Sequence, residues 1–127
     1  FDEARKAFKL IAVGIGTAQE TRLREEGFPA SQIYPLKIGD NPAQMLLKGR
    51  VDAWFNGVPE TRYIWKQISD RPLVMSRVLM TANLYLACSK ECDSQMVESL
   101  RKALDTLQSD GTAARTEASY LKGLPAW

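Results

Sequence analysis

The sequence predicts an α/β fold: a short, mostly parallel sheet flanked by helices, followed by two C-terminal helices. Three observations lead there. Short apolar runs rich in β-branched residues alternate with stretches of helical periodicity, the pattern of parallel strands joined by crossover helices. Residues 10–27, LIAVGIGTAQETRLREEG, read as strand, tight turn at Gly16 and helix without a break. From Cys92 onward the periodicity is helical alone, with Met96, Val97, Leu100, Ala103, Leu104 and Leu107 on one stripe.

Taken in order, residues 1–9 are polar with apolar residues at Ala4, Ala7 and Phe8, which fits a helical turn. Residues 10–15 form the first strand, apolar enough to be buried on both faces. Thr17 and Glu20 have the spacing of a capping box: the Thr17 hydroxyl accepts from the Glu20 N–H, and the Glu20 carboxylate reaches back to the Thr17 N–H. Gly27 ends that helix. Residues 33–38 read as a second strand, at an edge because Pro35 has no N–H to donate. Asn41 is the expected cap of the next helix, with Pro42 at its first position. Residues 51–56, VDAWFN, form a third strand, and Pro59 opens a helix carrying Tyr63, Ile64, Trp65 and Ile68. Residues 73–80 and 83–89 are fourth and fifth strand candidates, followed by a helix to Asp110 and a last one over 113–122.

Composition narrows the function classes. The 127 residues suffice for one domain with a core, and 45% hydrophobic with 25% charged residues is ordinary for a globular protein. A net charge of +2, with basic residues scattered, gives no case for nucleic acid. The chain contains no histidine, which excludes Ser-His and Cys-His catalysis and removes the commonest metal ligand. No apolar run reaches the length of a membrane span. The chain starts with Phe1 rather than Met and reads as a mature or excised segment, so the absence of a signal peptide does not locate its parent. In a parallel sheet ligands sit beyond the strand carboxyl ends, which selects Gly16 to Gln19 after the first strand and Asn56-Gly57 after the third.

Four stretches in this order carry a resemblance: Gly16-Thr17-Ala18-Gln19-Glu20 after a strand, Gly49-Arg50-Val51-Asp52-Ala53 between helix and strand, LYLACSK at 84–90, and Asp110-Gly111-Thr112 after a long helix. Together they resemble the family 3 solute-binding proteins of bacterial ABC importers over nearly the whole chain. The resemblance implies a type II periplasmic binding fold, in which two α/β lobes joined by crossover strands close over a small solute. By it, residues 1–83 are a second-lobe domain. Residues 84–127 are the return strand and C-terminal helices of a first lobe, whose N-terminal part, with its ligand-clamping arginine, is not in this chain.

The same resemblance implies the function: the extracytoplasmic, periplasmic solute-binding component of an importer, present as a fragment, with no enzymatic activity, cofactor or metal. Its partners would be a small polar or anionic solute and the importer's membrane permease, with self-association or domain swapping of the fragment, since the stripe from Met96 to Leu107 calls for a cover. Thr17, Ala18 and Gln19 fall where the family offers N–H groups and short polar side chains to the ligand. Asn56 and Gly57 stand where amino-acid binders place an acid against the ligand ammonium, and Trp54 lies nearest the cleft end of its strand. Without that acid, and with Pro59 expected to turn Glu60 into its helix and away from the cleft, the expected ligand has no α-ammonium group. An even cysteine count, with the exported compartment the resemblance implies, makes Cys88 and Cys92 a disulfide candidate.

Alternatives remain open at this level. The sensory module of a receptor kinase uses the same lobes. A dehydratase-like enzyme on this fold would need carboxylates, and Glu20, Asp40, Asp52 and Glu60 each have a plainer role as cap, turn, strand start and first helical turn. A dinucleotide site would use Gly14-Ile15-Gly16, but Gln19 occupies the position of its third glycine. Trp54, Phe55, Tyr63 and Trp65 offer an aromatic cage or, more simply, core packing.

Overall fold

The computed structural model describes residues 1–125; Ala126 and Trp127, the end of the segment assigned above to the first lobe, lie outside the described residues. The element order is α1 (Asp2–Ala7), β1 (Ile11–Gly14), α2 (Ala18–Glu25), a 3-10 turn (Ala30–Gln32), β2 (Ile33–Leu36), α3 (Asn41–Leu47), β3 (Ala53–Phe55), α4 (Val58–Ile68), α5 (Ser94–Ser109) and α6 (Thr112–Leu121). The fold is α/β, with a three-stranded sheet flanked by helices and two C-terminal helices, as the patterning predicts.

The strand order is β2-β1-β3 and both pairings are parallel, Ile11 standing opposite Ile33 on one side and Ala53 on the other. The chain leaves β1 toward β2 and then crosses back past β1 to β3. Right-handed crossovers in opposite directions put α2 and α3 on opposite faces of the sheet. The central strand is therefore covered twice, which is why Ile11, Ala12 and Val13 are all buried and why the run is continuously apolar. Pro35 is tolerated because β2 is an edge.

The chain forms two compact units. The first comprises Phe1–Leu79 and the chain from Leu124. Its core is Ile11, Val13, Leu23, Phe28 and Ile33, with Phe1 packed edge-on against Phe28 and Phe55. The Arg22 guanidinium lies over the Phe1 ring, 5.4 Å from its centroid. Asp52 ties the start of β1 to β3, its Oδ2 accepting the N–H groups of Lys9 (2.8 Å) and Leu10 (2.9 Å). Arg62 on α4 donates to the carbonyls of Leu124 and Pro125. The second unit, Met80–Gly123, holds α5 and α6, joined through Gly111 at a left-handed φ of 78°.

Several local expectations are corrected. Residues 73–80 and 83–89 are not strands: they pair with nothing among the described residues, and Val74 and Leu84 are 98% exposed. A short apolar run specifies a strand only where an edge is free and in reach to complete its hydrogen bonds. The return strand assigned to 84–90 is therefore not formed here. The cap of α3 is Asp40 rather than Asn41, so Pro42 sits second in the helix. β2 ends at Leu36, two residues early, and β3 spans only Ala53–Phe55.

Candidate functional site

A small cavity of about 120 Å³ opens at the carboxyl end of the sheet. It is lined by Gly14 from β1, Thr17 and Gln19 from the start of α2, Ile38, Gly39 and Pro42 between β2 and α3, Trp54 from β3, and Asn56 and Glu60 around the start of α4. This is the topological switch point: the connections from β1 and β2 depart to opposite faces, and the crevice they leave is the position where open parallel sheets bind ligands.

Each wall has a local cause. Gly16 turns the chain out of β1 at φ 71°, a conformation that costs glycine nothing. Thr17 then caps α2: its Oγ1 accepts the Glu20 N–H at 3.3 Å and donates to the Gly14 carbonyl at 2.7 Å. The Glu20 carboxylate reaches one residue further back than a standard capping box, accepting the Gly16 N–H at 2.7 Å and Arg24 Nη2 at 2.7 Å. The Arg24 hydrogen bond and then the Gly16 N–H hold its pKa below the usual glutamate value. The rim of the cavity is thus fixed by hydrogen bonds within the eleven residues from Gly14 to Arg24. Gly14 is needed for its size, since a Cβ there would lie 2.8 Å from Thr17 Cγ2.

Of the six ligand-site residues expected from sequence, the cavity brings together Thr17, Gln19, Trp54 and Asn56. Ala18 is exposed on the first turn of α2, and Gly57 serves as the cap of α4; neither lines it. The aromatic residues divide as strand and helix geometry dictates. Trp54 faces the cavity, Phe55 on the opposite face packs against the core, and Trp65 is buried with its Nε1 donating to the Arg71 carbonyl at 2.8 Å. Tyr63 is exposed.

The chain matches no family model, and no curated protein or solved structure matches it.

The main correction concerns Glu60. Pro59 does place it in the first turn of α4, but that turn faces the cavity, and Asn56 Nδ2 donates to Glu60 Oε2 at 3.2 Å. Glu60 carries the one formal charge among the described lining residues; no lysine or arginine is there. The argument that an absent acid disfavours an ammonium ligand therefore loses its premise. The sequence signal was present: Glu60 is four residues after Asn56, one helical turn on, and a proline at a first turn sets the helix without setting which side faces the crevice. Ile38, Gly39 and Pro42 are not expected from their motifs; their signal is position, since they follow the carboxyl end of β2 as the other lining residues follow β1 and β3.

The other chemistry-bearing residues stand elsewhere. Asp40 stands at the N-terminal boundary of α3 without a side-chain capping hydrogen bond and Asp52 latches two N–H groups; neither lines the cavity beside Glu60. Among the described residues no group of three or more acidic, cysteine or histidine side chains is arranged to hold a metal. No helix among them is long and apolar enough to cross a membrane. The expected disulfide is not formed: Cys88 and Cys92 are free thiols.

Proposed function

We propose that this chain is the solute-binding lobe of an extracytoplasmic binding protein of the ABC-importer kind, and that the crevice between Thr17, Trp54 and Glu60 receives one side of a small polar solute. The observation that carries the reading is convergence: the cavity lies at the switch point of a parallel sheet, and four residues singled out from their motifs line it. Its chemistry suits recognition better than catalysis. Thr17 Oγ1 is engaged with backbone partners, Asn56 and Gln19 offer amides, Trp54 offers an apolar wall, and Glu60 offers a single carboxylate.

A volume of about 120 Å³ is well below the roughly 300–1,000 Å³ of pockets that enclose a ligand. One wall of a two-walled cleft has this character, and the solute would gain most of its affinity when a second wall closes over it. The charge on Glu60 selects a solute that presents an ammonium or another hydrogen-bond donor to this lobe, because a carboxylate facing an anion across a closing, drying cleft is repelled.

Calorimetry on the 127-residue chain with small amines, amino acids and their deaminated analogues tests this reading. The amine-bearing solutes should bind in the millimolar range, about 4 kcal/mol. Glu60→Gln should weaken them by about tenfold, near 1.4 kcal/mol, and leave the deaminated analogues unchanged. Equal binding of both series to wild type and variant would overturn the role given to Glu60. Binding of neither would overturn the lobe itself as a solute site.

A further inference from the structure

Cys88 and Cys92 lie outside the cavity, in the second unit, and no role considered so far uses them. The chain between them makes a tight turn, the Cys92 N–H donating to the Ser89 carbonyl at 3.1 Å. That turn doubles the segment back just before α5, whose cap is Asp93. Both cysteines are free thiols, Cys88 exposed and Cys92 half-buried, and they flank this one turn. With no histidine in the chain and no third acidic or thiol ligand grouped with them among the described residues, the pair lacks the donor set of a metal site. Two free thiols flanking one tight, accessible turn have the arrangement needed for exchange with an external disulfide.

We propose that Cys88 and Cys92 form a reversible dithiol–disulfide couple, oxidised by a small disulfide of the glutathione class, whose disulfide clasps the turn that enters α5. The accessible Cys88 thiolate attacks one sulfur of the oxidant, forming a mixed disulfide and expelling one glutathione thiolate. The Cys92 thiolate then attacks the Cys88 sulfur, forming the intrachain bond and expelling the second glutathione thiolate. The two cysteines lose two electrons and two protons; the oxidant gains the electrons, and the protons end on two glutathione thiols. The turn already doubles the chain back between the two cysteines, so closure asks little of the backbone. The contact with Cys92 also holds the Cys88 thiol above its ordinary pKa, so the first attack should be slow at neutral pH and accelerate through the alkaline range.

The test equilibrates the 127-residue chain in glutathione redox buffers, quenches with an alkylating reagent and weighs the intact protein. The expected product is a monomer lighter by two hydrogens that takes up no alkyl group. At micromolar protein it should exceed disulfide-linked dimer on the order of a thousandfold, the ratio of a millimolar effective concentration to the concentration of chain. Cys88→Ser and Cys92→Ser, each left with one thiol and no second thiol to displace the glutathione, should accumulate the mixed disulfide, and dithiothreitol should restore both alkylation sites in the wild type. Two alkylatable thiols throughout, a persistent mixed disulfide on the wild type, or a dimer as the main product would each overturn the proposal.

Discussion

Glu20, Gly14 and Asp52 are small contributors individually, but they set the rim of the cavity and the register of the strands that carry it. Glu20 is the clearest to titrate. Its folded-state pKa lies below its ordinary value of 4.5, so its ionised form stabilises the fold at pH above that value, and the contribution is lost as pH falls through the lower folded value. Thermal melts from neutral pH to about pH 3 should therefore show an acid limb that Glu20→Gln flattens. Gly14→Ala would push a methyl into Thr17 Cγ2, which the Thr17–Gly14 hydrogen bond holds in place. Denaturant unfolding should record a loss of about 1–3 kcal/mol, the usual cost of an overpacked site. Residue-level chemistry was the most legible in the sequence where partners lie close along the chain. The Thr17 cap was readable because its geometry is local, whereas the Asp52 latch, spanning 43 residues to Lys9, has no sequence signal.

At the scale of elements, β1, α2, β2, α3, β3 and α4 were readable because each burial pattern has its own period and each helix has a local start signal. The strands expected over 73–80 and 83–89 are absent for a physical reason. An apolar run of seven or eight residues satisfies the pattern of a strand, but a strand exists only with a neighbour to complete its ladder, and nothing in the run says where that neighbour is. Its amides should accordingly exchange with solvent rapidly while those of Ile11, Ala12 and Val13 exchange slowly, and trypsin should cut first at Arg77 or Lys90. Slow exchange across 83–89 would mean that the segment pairs after all. The site shows the same contrast between local and non-local information. Thr17 and Gln19 follow from one strand–turn–helix motif, whereas the inward aim of Glu60 depends on how α4 is seated beside β3.

For the whole molecule, the division into two units and the placement of buried residues imply unequal stability. Among the described residues the buried hydrophobic ones all belong to Phe1–Leu79, while α5 and α6 bury none, and Met96, Leu100, Leu104 and Leu107 remain exposed on α5. Hydrogen exchange should therefore find the sheet as the most protected part of the chain and α5 with α6 opening at lower free energy. A partner that covers the α5 stripe would reverse that order, which the sequence stripe alone anticipates.

The central claim is that the crevice at the carboxyl ends of β1 and β3 is where a solute meets this chain. Amide and indole shift mapping by NMR on the 127-residue chain, titrated with a small amino acid into the millimolar range, tests it most directly. The claim predicts that Gly14, Thr17, Gln19, Gly39, Asn56, Glu60 and the Trp54 indole N–H move together along one saturating curve, with the Trp65 indole unchanged in the core. Saturable shifts confined to residues outside that crevice, with these seven unmoved, would contradict it.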